Sequence, residues 1–183
     1  MPNSAYLLDN ADFALGIVTG NNKEYISDIK NDNNEMILKG ADICKYHITR
    51  TNNYIVFKPE NFQQAAPTEM YRSPEKLLYR FISSQLVFAY DDKQTLSLNS
   101  CNIVIPRLPG IKIKYVLAIF NSRIAQFIYK KEFNSVKVLR SHIENIPIPT
   151  ADASTQAEII ALTDKLISGL QSDKAEKVYD ELD

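Results

Sequence analysis

The chain has 183 residues, 45% of them apolar, enough for one domain plus an appendage and too many for a disordered chain. No apolar run approaches the ~18–20 residues of a membrane span, and the polar start Met1-Pro2-Asn3 has no signal-peptide pattern. The net charge of −1 hides three blocks: residues 1–38 hold 2 Lys/Arg against 6 Asp/Glu, residues 39–140 hold 16 against 7, and residues 141–183 hold 3 against 9. A basic middle between acidic ends is the asymmetry of a surface that faces a polyanion; the bland alternative is a solvated surface with no partner. Two cysteines, Cys44 and Cys101, suggest free thiols in a reducing compartment, so a cytoplasmic protein is expected.

Along the chain, residues 6–18 form a weak apolar patch. Thr19-Gly20-Asn21-Asn22-Lys23 follows, a turn with polar tips because Gly and Asn tolerate positive φ. Its amides could hold a phosphate, but the Gly16-x-x-x-Gly20 spacing is not a P-loop. Residues 27–35 read as an acidic, Asn-rich loop. Met36-Ile37-Leu38 and Tyr54-Ile55-Val56-Phe57 read as strands, with a turn or helical start at Lys39–Ile43. Ser73-Pro74-Glu75-Lys76 predicts a helix start, although Leu77, Leu78 and Phe81 would also suit a strand. Leu86–Tyr90 and Asn102–Pro106 predict further strands, Asp91-Asp92-Lys93-Gln94 a polar turn, and residues 95–98 fit no period. Pro109-Gly110 breaks the chain.

Residues 111–149 predict the dominant element. At 100° per residue, Ile113, Val116, Leu117, Phe120, Ile124, Phe127 and Ile128 fall on one face of a single long helix, with Ala118, Ser122, Ala125 and Tyr129 opposite. A short basic, β-branched segment follows. Ile146-Pro147-Ile148-Pro149 then forces an extended exit. Beyond Pro149 an acidic helical arm is expected, capped at Thr155-x-x-Glu158 or by Asp152 or Ser154. Its seam is Ile159, Leu162, Leu166 and Leu170, and Ala175, Val178 and Leu182 extend it. Such a stripe must dock, either on this body or on another protein. The reading is therefore an α/β (α+β) chain: a twisted, mostly antiparallel sheet with a long packed helix over residues 1–149, then a helical arm over 150–183.

Several short pieces, in order, resemble a known family. They are Gly16-Ile17-Val18-Thr19-Gly20-Asn21-Asn22-Lys23-Glu24-Tyr25-Ile26; Leu38-Lys39-Gly40-Ala41-Asp42-Ile43-x-x-Tyr46; Tyr54-Ile55-Val56-Phe57; Leu117-Ala118-Ile119-Phe120-Asn121-Ser122; and Ile146-Pro147-Ile148-Pro149 with its helix. Together, over about residues 13–170, they resemble the TaqI-like C-terminal specificity domain attached to N6-adenine DNA methyltransferases of type II restriction–modification systems. Type I specificity subunits look similar in the same places. The resemblance implies a C-terminal piece of a larger enzyme that recognises duplex DNA and positions a target for a methyltransferase domain, with or without a fused nuclease. The sequence has no Asn-Pro-Pro-Tyr motif, no Gly-rich loop for S-adenosylmethionine and no nuclease acid cluster with a lysine. No catalysis and no cofactor are thus expected of this chain itself; S-adenosylmethionine would belong to the parent enzyme's catalytic domain.

DNA recognition needs Lys and Arg for phosphates, and Arg, Lys, Asn and Gln for base edges. The candidates are Asn21, Asn22 and Lys23 on the turn. Lys39, Arg72, Arg80, Lys93, Arg107 and Arg140 lie at loops and element ends, as do Lys45 and Arg50. Lys112, Arg123 and Lys130 fall on one flank of the predicted long helix. Each is otherwise an ordinary solvated side chain. Tyr54, Tyr79 and Tyr115 are expected in the core rather than as stacking platforms. Cys44-x-x-His47 with Cys101 and His142 lacks the paired spacing of a zinc site, and neither histidine has a nucleophile beside it. The arm is expected to dock on the methyltransferase domain or a partner through Ile159, Leu162, Leu166 and Leu170; the rival reading is a protein-interaction module in which that arm acts without DNA.

Overall fold

The computed structural model describes residues 3–49 and 51–169; Arg50, Leu170, Ala175, Val178 and Leu182 lie outside them. In chain order the elements are β1 (Ser4–Ala5), β2 (Ala11–Ala14), α1 (Asn22–Tyr25), β3 (Ile26–Ser27) and β4 (Glu35–Leu38). Then come a 3-10 turn (Gly40–Asp42), β5 (Tyr54–Ile55), a second 3-10 turn (Pro59–Asn61), α2 (Thr68–Tyr71), β6 (Lys76–Arg80) and β7 (Phe88–Asp91). The rest are β8 (Leu96–Ser97), β9 (Cys101–Pro106), α3 (Ile113–Asn121), α4 (Arg123–Glu132), α5 (Arg140–Glu144), β10 (Ile148–Pro149) and α6 (Ala153–Gly169).

A central antiparallel sheet has the order β2-β9-β6-β7, with Ala14 opposite Ile103, Leu77 opposite Val104 and Leu78 opposite Ala89. Successive side chains of a strand point to opposite faces, so this sheet feeds two cores. Leu77, Tyr79, Phe88 and Val104 enter one, beneath Val116, Leu117 and Phe120 of α3 and Ala125 and Tyr129 of α4. Leu78, Ala89, Cys101, Ile103 and Ile105 enter the other, against Ile37, Leu38, Ile55 and Leu96. Those last residues belong to a smaller sheet, β3-β5-β4-β8, antiparallel except where β8 runs parallel to β4. The architecture is thus the expected α+β mix with mostly antiparallel strands.

Two predicted elements are corrected. Ser73–Lys76 does not start a helix. The Ser73 hydroxyl donates to the Glu75 carbonyl at 2.8 Å instead of accepting from a helical amide, and Lys76 begins β6. Leu77, Leu78 and Tyr79 are all buried, on alternating sides, which only a strand between two cores allows. Nor is residues 113–132 one helix. Ser122 adopts extended backbone (ψ 159°), donates to the Ile119 carbonyl and caps α4 by accepting from the Ala125 amide. The cause lies next door. Asn121 is buried and forms a paired contact with Phe88, accepting from its amide at 3.0 Å and donating to its carbonyl at 2.9 Å. Gln126 does the same for Leu86, at 2.8 and 3.1 Å. The two amides pair with the chain entering β7, where the Phe88 carbonyl also accepts from the Tyr46 amide at 2.7 Å; the Phe88 and Leu86 amides find their partners in these two side chains. The break also changes which face of α4 is covered: Ile124 and Phe127 are 61% and 67% exposed, while Ala125 and Tyr129 are buried. In α3, Val116, Leu117 and Phe120 of the predicted face stay buried, and Ala118 is buried with them.

The chain stays on the same core on either side of residue 149. β10 pairs with β1, Ser4 opposite Pro149, and the Thr150 amide donates to the Asn3 carbonyl at 2.9 Å. Asp152 caps α6, accepting from the Thr155 amide at 2.8 Å. The helix lies along α3. Leu166 is buried, Ile159, Ile160 and Ile167 are partly so, and Leu162 is half-buried. Gln156 fixes the crossing, accepting from the Lys112 amide and donating to the carbonyls of Gly110 and Ala151. Lys114 meets Asp164 at 2.6 Å. No helix among the described residues is long and apolar enough to cross a membrane.

One ion pair is fully buried: Lys76 Nζ sits 2.5 Å from Asp91 Oδ2 and donates to the Tyr71 carbonyl at 2.8 Å. Burial pushes the Lys76 ammonium below the usual lysine range, and Asp91 opposes the shift. Asp91 also accepts from the Thr95 amide at 2.9 Å and its hydroxyl at 2.7 Å, which shapes the turn into β8. Removing one partner of a buried pair strands the other charge. Lys76→Met is therefore expected to cost about 3–5 kcal/mol, read as a lower urea midpoint. A second close contact is steric. A Cβ on Gly16 would lie 2.1 Å from the Leu98 carbonyl oxygen and 2.6 Å from that of Cys101, both backbone atoms. Gly16→Ala is expected to destabilise by about 3 kcal/mol, whereas Gly110→Ala, with open space around it but φ +74°, should lose about 1 kcal/mol; thermal melts separate the two.

Candidate nucleic-acid interface

The polar turn at residues 19–23 is held by long-range backbone pairing. Ile17 donates to Ser97 at 2.7 Å and accepts from Asn99 at 3.1 Å, while Val18 exchanges two hydrogen bonds with Gln64 at 2.8 and 3.0 Å. One two-residue segment is thereby clamped between residues 97–99 and residue 64. The chain leaves it through the buried Thr19 and turns at Gly20 (φ +83°), a conformation suited to glycine. Thr19 Oγ1 donates to Asn22 Oδ1 at 2.6 Å, and the Asn21 carbonyl accepts from the Glu24 and Tyr25 amides to close α1. The clamp has a consequence for side chains: Asn99, itself a clamping residue, and Gln63, next to Gln64, flank the turn. Gly20, Asn21, Asn22, Lys23, Gln63 and Asn99 line a shallow depression of about 350 Å³.

On its other flank α1 borders a second depression of about 360 Å³, where Asn22 and Lys23 face Lys39 and Asn53, with Asp28 at the rim. Lys39 Nζ donates to Asn53 Oδ1 at 2.6 Å. The structure thus brings together four sequence candidates, Asn21, Asn22, Lys23 and Lys39, and adds Asn53, Gln63 and Asn99. Nothing local in the sequence marks those three; only their amide chemistry could have drawn attention to them.

The remaining candidates are placed elsewhere. Arg72, Arg107 and Lys112 share a broad depression of about 770 Å³, but Asp12, Glu69 and Glu75 line it too. Arg72 is forked on Glu35 at 2.6 and 2.7 Å, donates to the Gln94 carbonyl and lies over the Phe57 ring. The hydrogen bonds to Glu35 hold its guanidinium above even the usual arginine range. Arg107 meets Asp12 at 2.9 Å. Arg80 donates to the Ile43 carbonyl at 2.6 Å, and Lys45 to that of Asn121. Arg140 pairs with Glu144 and covers the Phe13 ring. Lys93 is exposed on the turn after β7, beside Asp92 at 3.2 Å. Arg123 and Lys130 lie exposed on α4, seven residues apart and so on one face. Lys112 is the N-cap of α3 and Ser122 separates that helix from α4, so no single helix carries all three and the flank predicted from one continuous helix does not form. Tyr79 and Tyr115 are buried and Tyr54 is half-buried. Cys101 is buried in β9 while His142 stacks on Phe133 in the other core, so those two candidate metal ligands are not brought together.

The fold has solved relatives. A chain from work on complex assembly and conformational transition of the type I restriction–modification system superposes with a TM-score of 0.53 at 15% identity, over 100% of this chain and 43% of that one. The HsdS subunit from Thermoanaerobacter tengcongensis gives 0.51 at 14% identity, over 99% and 43%. The type IIL restriction–modification enzyme MmeI, solved in complex with DNA, gives 0.59 at 10% identity, over 94% and 31%. This chain therefore spans less than half the length of each of these relatives. No curated protein matches the sequence. The sequence matches one family over residues 35–148, from the start of β4 to β10 and across both cores, so the chain belongs to the TaqI-like C-terminal specificity domains.

Proposed function

We propose that this chain recognises a short sequence in duplex DNA and presents it to the adenine-methyltransferase domain of a restriction–modification enzyme. Membership of a specificity-domain family carries the reading. The surface supports it: Lys23, Lys112 and Lys130 have no side-chain partner among the described residues, and amides cluster on both flanks of α1. Free cations suit phosphates, and amides suit base edges. The methyl donor, S-adenosylmethionine, would be bound by that separate domain, in the cytoplasm where the DNA lies. The rival reading, an interaction module built on the arm, has less support, because Leu166 faces α3 of its own chain.

The test is binding of the chain to a randomised duplex pool across a salt series, with sequencing of the bound fraction. An enriched short motif and an affinity falling steeply with salt are expected. Absence of binding at low salt would overturn the reading. Lys23→Ala should weaken binding alike on all sequences and lower the salt slope by about one. Arg72→Ala should instead lower the melting temperature, since besides its fork on Glu35 the guanidinium donates to the Gln94 carbonyl and covers the Phe57 ring.

A further inference from the structure

The arginines among the described residues are engaged within the chain, and the hydrogen-bonding capacity lining the depression beside α1 lies mainly in amides. Around α1, Gln63 and Asn99 are exposed, and their side chains make no hydrogen bond among the described residues. Asn22 uses one oxygen lone pair for Thr19 and keeps both amide hydrogens. Asn21 reaches Glu24 through one hydrogen only, at 3.3 Å. Lys23 is the single charged side chain lining this depression. Such a surface is poorly built for phosphate and well built for base edges. A carboxamide carries a donor and an acceptor side by side, the pattern that matches N7 and the N6 amino group of adenine in the major groove. The turn is also rigid: Gly20, the Ile17–Val18 clamp and the buried Thr19 fix the backbone behind these side chains. Rigidity lets an amide read a base without first ordering a loop.

Resting on the DNA-binding reading above, we propose that the amide face made by Asn21, Asn22, Gln63 and Asn99 is the base-reading surface and that it reads A·T pairs through adenine. Lys23, at its edge, contacts phosphate and sets no preference.

The experiment compares the bound motifs of the chain and of Gln63→Ala, Asn99→Ala and Lys23→Ala, each checked for an unchanged melting temperature. Gln63 and Asn99 are exposed and unpartnered, so truncation leaves the fold intact. At least one of the two amide variants is expected to lose roughly ten- to a hundredfold of preference at one A·T position while keeping the rest of the motif. Replacing adenine by 7-deazaadenine at that position should weaken the parent chain by a similar factor and leave the variant unaffected. Lys23→Ala should keep the motif. Specific binding with the same motif in both amide variants would overturn this proposal alone, because another surface would then be reading the bases. A uniform loss of affinity in these variants without a change of motif would also overturn it. Absence of DNA binding by the parent chain would remove both this proposal and the function on which it rests.

Discussion

A sheet buried on both faces is the constraint from which the rest of this structure follows. β9 lies between β2 and β6, and no side of it meets solvent. Its residues must therefore be apolar at nearly every position, as Cys101, Ile103, Val104 and Ile105 are. The exception, Asn102, is satisfied by accepting from the Gly16 amide at 3.0 Å. Two cores need two covers. The helices α3, α4 and α6 supply one and the β3-β5-β4-β8 sheet supplies the other. The buried backbone entering β7 then needs partners, and Tyr46, Asn121 and Gln126 provide them, the last two from either side of the break between α3 and α4.

The same constraint positions the candidate interface. β9 is entered through a tight turn after β8. That turn accepts Gly16 and Gly40 at distances where a Cβ would meet the carbonyls of Leu98 and Ser100. Because the two glycines approach so closely, residues 17–18 and 38–40 are held against one hub. The Gly40 amide donates to Ser100 Oγ at 3.0 Å, and the Leu98 amide to the Leu38 carbonyl at 2.8 Å. The turn at 19–23, Lys39 and Asn99 therefore emerge from a common support. The polar face is arranged by the core beneath it rather than by contacts among its own side chains.

Much of the scaffold was legible in the sequence, and the reasons for success and failure differ by element. The apolar runs at Met36–Leu38 and Asn102–Pro106 predicted strands because β-branched and apolar residues cluster there between turn signals. Gly20 predicted a turn because its chemistry is local. The ordered set of short pieces pointed to the specificity-domain family. The helix break was not legible: the apolar phase of 113–128 continues through Ser122, and the cause, a pairing of Asn121 with Phe88, spans 33 residues. β6 was ambiguous for a related reason, since a strand buried on both faces has no alternation to show. The partners of the arginines were equally hidden. Arg72 finds Glu35 across 37 residues and Arg107 finds Asp12 across 95, so composition showed the charges but not their neutralisation.

That neutralisation changes what the charge pattern means. Part of the excess of Lys and Arg in residues 39–140 is offset in three dimensions by Asp12 and Glu35 from the acidic start and by Glu144 and Asp164 from the acidic end. The blocks seen along the chain thus fold into mixed surfaces, and such exposed pairs contribute little stability each. Exposed lysines such as Lys58, Lys131 and Lys137 keep no side-chain partner among the described residues, so the cations left available to a polyanion are lysines, spread over the surface, rather than arginines. On the proposed function, phosphate contacts would fall to such scattered lysines, while a small rigid face such as that around α1 needs only to distinguish one sequence from another.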